Sequence, residues 1–225
     1  MKKKIWTIIL IIVLIIIALN FVPLKYNGFI FRLNFGQVHI TDYVGDSKEL
    51  VIPEKILSFS VVSINGLSEI SSAEKITIKA NIKNIEGKTL FDCYNLKSIT
   101  LPKSLEKIDV IDSKTSDSPI TTFLYGCRFL ESIYVDSENK RFIAIDGVLY
   151  NRTYGYIIRC PENKSGKVFI PDWVVKISGI EHGCSPFDKC DKINLVSIPK
   201  QLKDFKADLR GYSQEAYNIK FLVRK

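Results

Sequence analysis

The chain opens on an unbroken apolar run. From Ile5 to Val22 only Thr7 and Asn20 are polar, Lys2, Lys3 and Lys4 stand directly before the run, and Pro23 ends it. Such a length, at about 1.5 Å per helical residue, approaches the ~30 Å hydrocarbon core of a bilayer. The pattern predicts a transmembrane helix over residues 5–22 and a basic tip, residues 1–4, that stays in the cytoplasm by the positive-inside rule. The exit Ala18-Leu19-Asn20-Phe21-Val22-Pro23 has no small-x-small pair, so the segment reads as an uncleaved signal anchor. Were it cleaved, the remainder would be secreted.

Beyond the run the apolar positions recur in a fixed register. Counted from Cys93, Cys127 and Cys190, position +3 is Leu96, Leu130 and Ile193, position +6 is Ile99, Ile133 and Val196, and position +8 is Leu101, Val135 and Ile198. A second apolar pair follows at +12 and +15: Leu105 with Ile108, and Leu202 with Phe205. The middle copy has Asn139 and Phe142 there. Three partial copies begin at +6 with Leu50, Ile76 and Val168. They continue to Ile56 with Phe59, Ile82 with Ile85, and Val174 with Ile177. Apolar residues two apart share one side of a strand, and Pro53, Pro102, Pro171 and Pro199 stop that strand because proline has no N–H for the ladder. The second pair fits one helical or 3₁₀ turn, or another short strand. No unit can bury its apolar side alone, so the units must stack. The expected fold is a mainly β solenoid of about six units over residues 37–205, with a linker or entry segment over 23–36 and a C-terminal cap over 206–225, where Tyr217–Val223 supplies a closing strand.

The pattern F-x-x-C-x-x-L-x-x-I-x-I-P-x-x-V-x-x-I resembles the BspA-like leucine-rich repeat, found mainly in exported and surface proteins of bacteria. The resemblance covers about residues 35 to 205 and extends to two further stretches. Gln37–Tyr43 is similar to the family's lead-in strand; Asn139–Phe142 with Asp146–Tyr150 is similar to its inserted hairpin, which runs on to a proline such as Pro161. The departures are the missing Phe-Cys half of the first two copies, a polar insertion over Asp112–Ser118, and Glu181-His182-Gly183-Cys184 inside the last copy. The resemblance implies adhesion or protein binding at the bacterial cell surface and selects no ligand.

Composition narrows the remaining classes. Hydrophobic residues make up 46% of the 225, which suits a packed domain and excludes full-length disorder. Net charge is +8, from 32 Lys+Arg against 24 Asp+Glu; setting aside Lys2–Lys4 leaves 29 against 24, or +5. That mild excess fits anionic surface polymers, lipid headgroups or acidic proteins. Nucleic acid would require a denser basic stripe.

Candidate chemistry is sparse. No phosphate loop, H-E-x-x-H or G-x-S-x-G occurs. Of the two histidines, His39 alternates with Val38 and Ile40 as an outward strand residue, and His182 lies in an insertion. No enzyme, cofactor or metal site is expected. Cys93, Cys127 and Cys190 share one repeat position and read as small buried hydrophobes, which leaves Cys160 and Cys184 as the candidate disulfide. Asn151 and Asn163 begin glycosylation sequons. What remains is the outward face of the stacked strands: position +7 gives Val51, Thr77, Thr100, Tyr134, Phe169 and Ser197, and position +5 gives Glu49, Lys75, Ser98, Ser132, Lys167 and Leu195. Tyr134 and Phe169 are expected side by side, with Lys167 and Lys75 in the adjoining column and Trp173 past the strand end. Aromatics beside a cation suit an interface centre, and the expected partner is a protein or matrix ligand. The alternative is an envelope assembly component that meets another membrane protein through the anchor and the Lys25–Arg32 region.

Overall fold

The computed structural model describes residues 4–11, 22–86, 88–108, 122–177, 185–205 and 219–225. Residues 4–11 are helical and exposed throughout. The rest of the N-terminal apolar run, residues 12–21, lies outside the described residues, and among those described no helix is long and apolar enough to cross a membrane.

Strands β1 (Leu24–Tyr26), β2 (Phe29–Asn34) and β3 (Gln37–Tyr43) form an antiparallel meander. Its turns are Asn27-Gly28 and Phe35-Gly36, with φ between 47° and 82° at all four residues. Positive φ at both turn residues gives the hairpin the twist of its strands. Of the two readings of residues 23–36, the structure has the entry segment: Phe29 and Phe31 belong to the core at 6% and 1% exposure. Terminal units of a solenoid differ from internal ones, and this one has no copy elsewhere in the chain to reveal it.

The first stack follows. Strands β4 (Glu49–Ile52), β5 (Lys55–Ile56), β6 (Phe59–Ile64), β7 (Lys75–Ile78), β8 (Asn84–Ile85), β9 (Ser98–Leu101), β10 (Lys107–Ile108) and β11 (Ser132–Val135) wind through successive turns. A parallel sheet runs in the order β11-β9-β7-β4, with Leu50, Ile76, Ile99 and Ile133 on one rung and all buried. On the other side of each turn the second apolar pair becomes a short strand. There β8 lies parallel to β10, while Ile82, Ile85, Leu105 and Ile108 are buried. Phe59 departs from this pattern, sitting exposed at the start of β6. The turn after the strand is closed by one recurring backbone bond: the N–H of Leu105, Val174 and Leu202 donates to the carbonyl of Pro102, Pro171 and Pro199 at 3.3, 3.1 and 3.0 Å. In the copy where Asp136 replaces proline, Asn139 N donates to Asp136 O at 2.9 Å, so the corner survives the substitution.

A second meander interrupts the stack. Strands β12 (Phe142–Ile145), β13 (Val148–Asn151) and β14 (Tyr156–Arg159) run antiparallel. They are followed by β15 (Gly166–Phe169), β16 (Lys176–Ile177), which pairs parallel with β14, and β17 (Ile193–Ile198). A 3₁₀ turn (Lys200–Phe205) and β18 (Lys220–Val223) complete the order. Successive strand residues face opposite sides, and here both sides are covered. Leu149 and Ile158 enter the first core, while Val148, Tyr150 and Ile157 enter a second core built with Val168, Val196 and Phe221. The second stack, β15-β17-β18, is parallel, with Val168 opposite Val196 and Val196 opposite Phe221. The molecule is thus a mainly β solenoid of about six turns, with a buried meander between its two stacks.

Candidate binding surface

The outward rungs split at that meander. In the first stack, Glu49, Lys75, Ser98 and Ser132 form one column and Val51, Thr77, Thr100 and Tyr134 the other. In the second, Lys167, Leu195 and Lys220 form one column and Phe169, Ser197 and Leu222 the other. The expected juxtaposition of Tyr134 and Phe169 does not occur, because their strands belong to different sheets. The Asp146-Gly147 turn occupies the edge of β11, where Gly147 O accepts a hydrogen bond from Ile133 N at 3.0 Å. The sequence register treated the units as consecutive rungs and could not show a turn inserted at that edge. Tyr134 stays exposed at 54%. Arg224 also supplies a cation over Phe169: its guanidinium lies 3.8 Å from the ring centroid and donates to Ser197 O at 3.0 Å and Ile170 O at 2.6 Å. Arg224 follows the last strand, outside any repeat, so the register carried no signal for it.

The edge just before the strands is charged and internally neutralised. Glu74 lies 3.0 Å from Lys48 and 2.7 Å from Lys97, linking three successive turns. The hydrogen bond from Lys97, joined by that from Lys48, holds its carboxyl down at about 2. Lys103 and Glu138 pair similarly at 2.8 Å across turns. Exposed pairs of this kind add little stability. Alternating signs do favour the observed register over a slipped one, and they take these lysines out of the pool of free cations.

Trp173 stands elsewhere, over the meander. It lines a cleft of about 420 Å³ whose walls include Ile143, Arg152, Tyr154 and Val175. Its indole meets the Tyr150 ring edge-on at 5.7 Å, and the Tyr154 and Tyr156 rings stack 6.4 Å apart. Tyr154 is 60% exposed and Trp173 40%. The presenting turn is held by Asn151, itself buried, whose Oδ1 accepts from the N–H of Thr153 and of Tyr154, each at 3.0 Å, and whose Nδ2 donates to Tyr156 Oη at 3.2 Å. The Asn151 sequon is therefore committed to structure. The sequence supplied Trp173 but not its partners, because the hairpin turn 152–155 has no repeat position.

The last strand of the meander also carries, at Arg159, a buried polar cluster with no counterpart in the register. Arg159 Nη2 meets Glu162 Oε1 at 2.6 Å, with both side chains almost fully buried. The same oxygen accepts from Gly126 N at 2.7 Å. The Arg159 guanidinium and the Lys189 ammonium lie 5.2 and 4.1 Å from the centroid of the Tyr125 ring. Asp188 is buried nearby, and burial, opposed by the Arg159 charge, pushes its carboxyl up to about 6. A carboxyl that binds its proton more tightly when folded penalises the folded state once ionised. Its contribution to stability is complete below the unfolded value near 4 and is lost as pH rises through about 6. Lowering the pH from about 7 to about 5 should therefore add on the order of 1 kcal/mol from this group. In Asp188→Asn that increment should vanish, as read from urea midpoints at the two pH values.

The remaining candidates form no reactive constellation among the described residues. His39, expected on the outer face, is half-buried, with Nε2 enclosed and unpartnered. Cys93, Cys127, Cys160 and Cys190 are all buried thiols. His182 and Cys184 lie outside the described residues. No group of three or more His, Cys, Asp or Glu among the described residues could hold a metal ion.

Comparison with known protein families agrees with the repeat geometry. Residues 46–142 match, in six copies, the family described as BspA type leucine rich repeat region. The parallel rungs continue past that stretch into β15, β17 and β18. No curated protein matches the chain. Among solved structures, the chain is similar to a leucine rich cell surface protein from Faecalibacterium prausnitzii at 15% identity, covering 91% of this chain and 76% of that one, with a TM-score of 0.37. It is similar to a leucine-rich repeat protein from Eubacterium ventriosum at 17% identity, covering 88% and 66%, with a TM-score of 0.35. A third is the pneumococcal vaccine antigen PcpA, at 17% identity, 80% and 71% coverage and a TM-score of 0.28.

Proposed function

With residues 46–142 matching the BspA-type leucine-rich repeat family, we propose that the chain is a membrane-anchored, extracytoplasmic binding protein acting by surface contact in adhesion or protein binding, without catalysis. The observation that carries this reading is the cleft over the meander. Trp173 and Tyr154 are large, partly exposed and rigidly backed by Tyr150 and Tyr156, and Arg152 adds a cation at the rim. Such anchors dominate the energetics of interfaces. Tyr134 on the first stack offers a separate contact.

Anchoring draws support from the N-terminal segment. In the helix over residues 4–11 the apolar side chains Ile5, Trp6, Ile8, Ile9, Leu10 and Ile11 are all 45–71% exposed. A helix apolar on every side gains stability in lipid, where its backbone bonds are satisfied internally.

Protease treatment of intact cells tests the placement. The repeat domain should be removed while the membrane is closed, and resistance until the membrane is opened would defeat the exported reading. The surface is tested by measuring adherence of cells bearing the chain to immobilised matrix protein. Tyr154→Ala with Trp173→Ala should weaken adherence at least about tenfold, while Lys75→Ala should leave it unchanged. Full adherence with a folded double variant would remove the cleft from the contact.

A further inference from the structure

The buried cysteines stand in two pairs, each joining one turn to another. Cys93 and Cys127 hold the same position in turns whose strands pair residue for residue, Ser98 with Ser132 through Leu101 with Val135. Neighbouring ladder positions are about 4.8 Å apart, within the roughly 4.4–6.8 Å between Cα atoms that a disulfide spans. The thiols point the same way, each toward a backbone carbonyl of the preceding turn: Cys93 Sγ lies 3.7 Å from Leu67 O and Cys127 Sγ 3.2 Å from Leu90 O. The neighbouring thiol is the largest influence on each, lowering the Cys93 thiol and raising that of Cys127. In the second stack, Cys190 Sγ lies 3.5 Å from Pro161 O and 3.8 Å from Cys160 O, so its sulfur sits against the backbone of Cys160.

We propose that Cys93–Cys127 and Cys160–Cys190 are two disulfide sites, each stapling a turn of the solenoid to a neighbouring turn across the buried interior. Cys160 is thereby assigned to Cys190 in place of Cys184, which becomes the unpaired fifth cysteine. The oxidant is a small-molecule or protein disulfide. One cysteine thiolate attacks it, forming a mixed disulfide and releasing one thiol. The second thiolate then displaces the other half. One S–S bond forms in the chain, the oxidant's S–S bond breaks, and the two protein protons leave on the two released thiols. Burial, with the neighbouring Cys160 thiol, holds the Cys190 thiol well above its ordinary range. The closed fold therefore reacts slowly, and the bonds form as the chain folds or transiently opens. The assignment rests on stacking alone and stands apart from the binding role.

The test uses the full chain in detergent. It is reduced, exchanged into glutathione disulfide with enough urea for the domain to open and close, alkylated, digested and mapped by mass spectrometry. The expected result is Cys93–Cys127 and Cys160–Cys190 peptides, alkylation confined to Cys184, and an intact mass lower by about 4 Da before alkylation, two hydrogens for each bond. Cys93→Ala should lose the first bond alone and leave Cys127 alkylated. Five alkylated cysteines, or a dominant Cys160–Cys184 peptide, would overturn the proposal, and the absence of either assigned bond overturns that pair.

Discussion

Replacing Arg159 by methionine should cost the fold about 3–5 kcal/mol, because it leaves an ionised carboxylate buried without its cation. The Arg159 and Glu162 side chains are 1% and 2% exposed and 2.6 Å apart. The methionine fills comparable apolar space, so the loss reports charge more than volume. With the guanidinium gone, Glu162 Oε1 keeps only Gly126 N as a partner among the described residues. Urea unfolding gives the measurement, and a second variant separates the causes. Arg159→Met with Glu162→Leu removes both charges and should recover part of the loss, since a buried pair adds little over well-packed apolar residues. The residue of about 1–3 kcal/mol is the Gly126 N–H left without its acceptor. A loss below about 1 kcal/mol in the single variant would mean that Glu162 is not carried as a buried charge.

That cluster also shows where the sequence stopped being legible. Within each stack the register was readable, because each rung buries one side against the same core and exposes the other, and Leu50, Ile76, Ile99 and Ile133 fall on one rung in the observed ladder. Arg159 sits instead on a strand covered on both faces, where Ile157 and Ile158 enter different cores. Such a strand shows no alternation, and a lone arginine after two isoleucines reads as a strand end. The same insertion explains the candidate surface. Tyr134, Phe169, Lys167 and Lys75 were readable as outward positions, and the structure places each of them outward. Their grouping depended on which strands are neighbours, and the Gly147 turn at the edge of β11 decides that. Trp173 was visible only as an exposed aromatic beyond a strand. Its setting required Tyr150, Tyr154 and Asn151, contributed by a hairpin with no repeat copy.

Asn139→Leu sets repeat logic directly against local chemistry. Position +12 holds Leu105 and Leu202 in the full copies, both buried, so the register alone predicts that leucine should stabilise the chain here. Asn139 is itself only 2% exposed, and its amide is fully used. Nδ2 donates to Pro102 O at 2.9 Å and Leu105 O at 3.1 Å in the preceding turn, while Oδ1 accepts from Arg141 N at 2.8 Å and Phe142 N at 2.7 Å. These four bonds bend the chain out of the solenoid path and into β12, the start of the inserted meander. Leucine would leave the Leu105 carbonyl and the Arg141 and Phe142 N–H groups short of partners in a buried corner, while Pro102 O keeps Leu105 N, at about 1–3 kcal/mol for each one not rescued by water. The expected outcome is a loss of roughly 3–5 kcal/mol, seen as a thermal midpoint lower by about 10 °C or more. Leu105→Ile, a volume-conserving change at the same repeat position, should cost less than about 1.5 kcal/mol. If Asn139→Leu proves neutral or stabilising, the meander is positioned by apolar burial, and the asparagine corner is incidental to it.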